Sequence, residues 1–108
     1  MGFFSKLFAK PYMTVSADRA AELVRSGALL VDVRTPAEWR TGHARRAQHI
    51  PLDSLAGRIR GLRKDREVVA ICASGMRSAA AARQLAAAGL TAYSVRGGMH
   101  AWTAAGLE

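Results

Sequence analysis

The sequence predicts a single α/β domain, a mainly parallel sheet with helices on both of its faces. Two observations carry the prediction. Apolar runs of strand length, above all Ala28 to Val33 and Val68 to Cys72, contain at most one polar residue, as in strands buried on both sides. Segments of helix-forming composition alternate with those runs, the order that βα units impose. A length of 108 residues then fits one compact domain and leaves no room for a second of ordinary size.

Ser16 is a good N-cap for a helix through Ala20, Leu23 and Val24, and Gly27 closes it. Ala28 to Val33 is the first buried strand, with Asp32 as its one polar residue. Pro36 suits the first turn of a short helix that contains Glu38 and Trp39 and ends at Gly42. His49, Ile50 and Pro51 read as a connection into a second helical stretch. There Leu55, Ile59 and Leu62 share one face, while Arg58, Arg60 and Arg63 lie on the other. Val68 to Cys72 is the next strand, and Ala73-Ser74-Gly75 is a turn. An alanine-rich helix follows from about Arg77 to Ala88, assigned on propensity and on Gly89 as its stop. Thr91 to Val95 is a last strand, Gly97-Gly98 a turn, and Met99 to Ala105 a closing helix. Trp39 and Trp102 are both expected to anchor the core. In a sheet of this kind the ligand site lies at the carboxyl ends of the strands, and Cys72 stands at such an end.

Half of the residues are hydrophobic, a balance that excludes a disordered tail. Sixteen Lys and Arg against eight Asp and Glu give a formal net charge of +8, so the field around the chain draws in anions. Small anionic substrates and acidic partners fit that field. Nucleic acid is not expected, because the basic residues are scattered and no basic stripe, zinc spacing or aromatic RNA-binding motif occurs. The single cysteine excludes an intrachain disulfide, a Cys-x-x-Cys pair and a multi-cysteine zinc site; a free thiol suits the cytoplasm. His43, His49 and His100 lack the close spacing of metal ligands, and neither a metal nor another cofactor is expected.

Residues 1–12 read as an amphipathic N-terminal leader to a domain over 13–108. Phe3, Phe4 and Phe8 are all the phenylalanines of the chain, with Lys6 and Lys10 among them. A short helix there would suit an anionic membrane or a partner's groove. Isolated short helices are marginal, however, so the leader is expected to pack on its own domain or stay disordered, without peripheral membrane contact through residues 3–8.

The chemistry concentrates at Cys72, where a strand stops and a helix begins about five residues later. Backbone N–H groups of the turn form an anion-binding nest, Gly75 permits a conformation closed to other residues, and the helix N-terminus adds partial positive charge. Such surroundings bring a cysteine pKa from about 8.5 to roughly 3.5–7.5, which makes Cys72 a thiolate at neutral pH. Arg77 is expected to support that thiolate and to clamp an anionic substrate. Ser74 and Ser78 are expected to be loop and cap hydrogen-bonders rather than nucleophiles. Cysteine phosphatases use a Cys-x5-Arg loop, whereas four residues separate Cys72 from Arg77 here. The tighter ring leaves room for an outer sulfur and holds phosphate badly.

The loop Cys72-Ala73-Ser74-Gly75-Met76-Arg77-Ser78 resembles the Cys-x-x-Gly-x-Arg-Ser active-site pattern of the rhodanese family. Asp32-Val33-Arg34, Glu38-Trp39, Gly42-His43 and Ile50-Pro51 resemble the family's upstream elements, and Gly97-Gly98-Met99-His100-Ala101-Trp102 its Gly-Gly-x-x-Ala-Trp segment. The resemblance implies a five-stranded, mostly parallel sheet and a sulfurtransferase. Cys72 would take sulfane sulfur from a small anionic donor such as thiosulfate, hold it as a persulfide among the amides of Ala73 to Ser78, and pass it to cyanide or a thiol. A sulfur-relay or interaction module that receives sulfur from a protein is the alternative. Two departures bear on this: Ala73 and Met76 stand where family loops often carry cations, and Ala44-Arg45-Arg46 replaces an Ile-Pro-Gly-like turn. Asp32, Arg34 and Glu38 are expected to support the site, through an ion pair or backbone hydrogen bonds that fix the strand-to-helix turn.

Overall fold

The computed structural model describes residues 10–108, so the leader assigned to residues 1–12 lies mostly outside the described residues. Five strands, β1 (Met13–Val15), β2 (Leu29–Asp32), β3 (Gln48–His49), β4 (Val68–Ile71) and β5 (Ala92–Val95), form one sheet in the order β1-β5-β4-β2-β3. Every pairing is parallel. Among the described residues four α-helices connect them, α1 (Ala17–Arg25), α2 (Pro36–Arg40), α3 (Leu52–Arg58) and α4 (Met76–Ala87), and α5 (Gly98–Ala104) follows β5.

The apolar runs of β2 and β4 are continuous because each of these strands feeds two cores, with successive side chains pointing to opposite faces. Leu29, Val31, Val68, Ala70 and Cys72 pack with Leu55 of α3 and Ala81, Ala82 and Leu85 of α4. Leu30, Val69, Ile71 and Val95 pack on the other face with Ala20, Ala21 and Val24 of α1 and Trp102 of α5. Tyr12 joins the first core, with the cations of Lys10 and Arg83 at 5.3 and 5.4 Å from its ring.

Ser16 caps α1 as expected, accepting from the Arg19 amide at 3.1 Å. Other boundaries differ. The stretch through Leu55, Ile59 and Leu62 is α3 followed by a 3-10 turn over Ile59–Gly61, and Leu62 is extended. Ile59 and Leu62 still pack against the core, so the apolar spacing marked the buried face but not the helix length. The connection at His49 begins as an edge strand, β3, only two residues long and below the reach of a period-2 pattern. Trp39 is half-buried rather than a core anchor: it lies between two imidazoles, with ring centroids 3.4 Å from His43 and 4.6 Å from His49.

The strand order places the site. The chain leaves β2 toward the β3 edge, whereas it leaves β4 toward β5, so the carboxyl ends of these adjacent strands flank the point where the winding reverses. Ligands in open parallel sheets bind at such a crevice.

Candidate active site

Cys72 follows β4 directly, and backbone hydrogen bonds pin the chain on both sides of it. Val33 N donates to Ile71 O on one side. On the other, Met99 N donates to Cys72 O at 2.7 Å and His100 N to Ala73 O at 3.2 Å. These two amides belong to the first turn of α5, which lacks partners within its own helix. The first two carbonyls of the Cys72 loop thus cap α5. The approach needs glycine at 98, because a Cβ there would strike Cys72 O and lie 2.6 Å from both C and O of Ala73.

The loop then turns back over the sulfur. Gly75 adopts φ +119° as the N-cap of α4, a conformation costly for residues with a Cβ. The Gly75 amide donates to Cys72 Sγ at 3.1 Å and the Ser78 amide at 3.3 Å, while Ser78 Oγ lies 3.5 Å from the sulfur. Burial, the largest single influence, pushes the thiol up. The Ser78 hydroxyl and the amides of Ser78, Gly75 and Ser74 together outweigh it and leave the Cys72 pKa below its ordinary value. Cys72 itself is 1% exposed, under a rim in which Ser74 and Met76 are exposed and Ala73, Gly75 and Arg77 half-exposed. Beside Ala73 a groove of about 820 Å³ runs between α5 and the loop at Gly42 and His43, with Arg34, Glu38 and His100 on its walls.

Arg77 is placed differently from a free substrate clamp. Its guanidinium makes a two-pronged pair with Glu38, Nη1 to Oε1 at 2.6 Å and Nη2 to Oε2 at 2.9 Å. The same carboxylate completes the cap of α2: Thr35 N donates to Glu38 Oε1 at 3.0 Å, and Glu38 N donates to Thr35 Oγ1 at 3.2 Å. Arg77 first, and the Thr35 amide after it, hold the Glu38 pKa down at about 2. Glu38 therefore ties the end of β2 to the start of α4 across the crevice.

Asp32 and Arg34 form a second brace. Asp32 is fully buried and takes the Arg34 side chain through Nε at 3.0 Å and Nη2 at 2.7 Å, as well as the Arg34 amide at 3.0 Å. Arg34 Nη2 continues to the carbonyl of Gly42 at 2.8 Å, and His49 Nε2 donates to the Arg34 carbonyl at 2.8 Å. All three supporting residues thus fix the turn after β2, and none hydrogen-bonds to the sulfur.

Of the loop residues, Ser74 and Gly75 contribute amides and Ser78 an amide and a hydroxyl, whereas the Met76 side chain is 84% exposed at the rim. Sequence reasoning did not single out Ser94, whose hydroxyl lies 2.8 Å from Ser78 Oγ. A serine inside an otherwise buried strand was the available signal. Among the described residues no three His, Cys, Asp or Glu side chains converge as a metal site, and no helix is long and apolar enough to cross a membrane.

The sequence profile of the family described as Rhodanese-like domain matches residues 16–105. The chain is 33% identical over 92 residues to the thiosulfate sulfurtransferase GlpE of Pseudomonas entomophila (strain L48), covering 84% of each protein. It is 34% identical to the GlpE of Pseudomonas syringae pv. syringae (strain B728a), over 84% of this chain and 87% of that one. Among solved structures, the rhodanese-related protein from Thermoplasma volcanium superposes with a TM-score of 0.83 at 32% identity, covering 90% of this chain and 96% of that chain. With the cysteine loop at the end of β4 and this agreement over most of its length, the chain belongs to the rhodanese-like domain family.

Proposed function

We propose that the protein is a sulfurtransferase that carries sulfane sulfur on Cys72. The observation that supports this most is the cradle of Gly75 and Ser78 amides at 3.1 and 3.3 Å from a sulfur whose pKa is lowered. In the first step the Cys72 thiolate attacks the outer sulfur of a donor such as thiosulfate. A Cys72 S–S bond forms, the donor's S–S bond breaks, and sulfite leaves with the electron pair. In the second step cyanide or a thiolate attacks the outer sulfur of the persulfide, and Cys72 leaves as the thiolate. A low thiol pKa assists both steps, by filling the nucleophilic form and by improving the leaving group. A reducing compartment such as the cytoplasm would keep the lone thiol ready.

A second reading has its own support. Arg77 is engaged by Glu38, and positions 73 and 76 carry Ala and Met, so the loop offers a small dianion no free guanidinium. Transfer from a protein or other persulfide would need less of that charge.

Intact-mass measurement after incubation with thiosulfate tests the proposal. One added sulfur on the wild type, absent from Cys72→Ser, is the expected result, and a protein that stays unloaded with thiosulfate and with persulfide donors alike overturns it. Loading by a persulfide but not by thiosulfate selects the relay reading.

A further inference from the structure

We propose that Ser94 is a positioning residue for Cys72: its hydroxyl donates to Ser78 Oγ, which leaves the single Ser78 hydroxyl proton free to face the sulfur. The proposal deepens the sulfurtransferase reading and takes its purpose from it, but its test reads the thiolate directly.

Strand alternation puts Ser94 on the face of the sheet that α4 covers, beside Ala70 of β4. It is 2% exposed, and Ser78 is fully buried. Among the described residues, the Ser94 hydroxyl has one hydrogen-bond partner, Ser78 Oγ at 2.8 Å. Ser78 Oγ has two more neighbours, the carbonyl of Gly75 at 3.1 Å and Cys72 Sγ at 3.5 Å.

Each hydroxyl has one proton and two lone pairs, and a carbonyl only accepts. Were Ser78 to donate to Ser94, the Ser94 proton would face no acceptor in a buried place, an arrangement that folded proteins avoid. Ser94 therefore donates, and the Ser78 proton is shared between Gly75 O and the sulfur.

With Cys72 neutral, its S–H points at the remaining Ser78 lone pair and the Ser78 proton rests on Gly75 O. With Cys72 ionised, that proton turns to the sulfur. Donation from Ser94 polarises the Ser78 O–H and strengthens its bond to the anion, since hydrogen bonds in chains reinforce one another. The same switch serves whenever Cys72 departs as a thiolate in the second half of a transfer.

The test is the pH profile of Cys72 alkylation by iodoacetamide. Ser94→Ala should raise the midpoint by about half a unit, a roughly threefold loss of thiolate on the acid side, if cooperative strengthening is a modest fraction of a charged hydrogen bond. Ser78→Ala should raise it further, and Ser94→Ala should add nothing in that background. Ser94→Thr and Ser94→Val, equal in shape, repeat the comparison: Thr keeps the wild-type midpoint and Val shifts it up.

An unchanged midpoint in Ser94→Ala, an equal shift in the Ser78→Ala background, or Thr and Val behaving alike overturns the proposal. Sulfur loading with a profile indifferent to Ser94 refutes this role and leaves the transfer reading standing. A Ser94-dependent profile in a protein that never loads sulfur does the reverse.

Discussion

Replacing Gly98 by alanine tests the coupling between the helix after β5 and the cysteine loop. Two costs are separable. Gly98 has φ +53°, and a left-handed conformation costs a residue with a Cβ about 1–2 kcal/mol, partly offset by about 0.4–1 kcal/mol from the stiffer unfolded chain. The new Cβ also strikes Cys72 O and lies 2.6 Å from Ala73 C and O, backbone atoms that cannot rotate away. Relief of such overpacking by backbone shifts costs typically about 1–3 kcal/mol, and occasionally more. Gly106 is the control, with φ +73° and nothing within 4 Å of the position its Cβ would take. Urea denaturation should give a loss of about 1 kcal/mol or less for Gly106→Ala and about 2–4 kcal/mol for Gly98→Ala. Because the shift separates α5 from the carbonyls it holds, Gly98→Ala should also slow Cys72 alkylation at neutral pH, which Gly106→Ala should not. Equal stability losses for the two variants would refute the claim that α5 and the loop are mutually fixed.

Two further predictions concern the braces. The Glu38 pKa is held at about 2 against an ordinary 4.5, so its contribution is complete above the ordinary value and is lost as pH falls from there through about 2. The carboxylate is 35% exposed, and after solvent screening about 1 kcal/mol remains, so Glu38→Gln should lose that much at pH 7. Urea titrations at a series of pH values should show the variant and wild-type curves converging in acid; a constant gap down to the lowest pH would refute the assignment. Asp32→Ala should cost about 3–5 kcal/mol, because it leaves the Arg34 guanidinium buried and unpaired. Removing both charges, as Asp32→Ala with Arg34→Met, should cost less than the single change in the same denaturation assay, and a larger loss in the double variant would contradict it.

Much of the fold was legible locally. Ala28 to Val33 and Val68 to Cys72 are continuous apolar runs because both faces of a parallel sheet are covered, and the two cores on either side of β2 and β4 are what that pattern required. Ser16, Pro36, Gly75 and Gly89 mark helix ends through caps and backbone geometry that single residues impose. The two-residue β3 and the 3-10 turn at Ile59 were not legible, because neither is long enough to carry a period of its own. Trp39 was misjudged for another reason: hydrophobicity does not distinguish a core site from a flat ring stacked between His43 and His49.

The residues from Cys72 to Ser78, read in order, were sufficient to place a thiol at the start of a helix and to propose amides around it, since strand end, glycine turn and helix start are local features. The chain alone could not say where the charge of Arg77 would go, which carbonyls would cap α5, or that Ser94 would stand behind Ser78. Glu38 reaches Arg77 across 39 positions and Ser94 reaches Ser78 across 16, and only the side-by-side arrangement of β2, β4 and β5 brings those groups within hydrogen-bonding distance. Local residue types therefore determined which thiol stands at the end of β4 under a helix start, and parallel strand order decided its neighbours, because contacts between crossover-linked strands depend on packing rather than on separation along the chain.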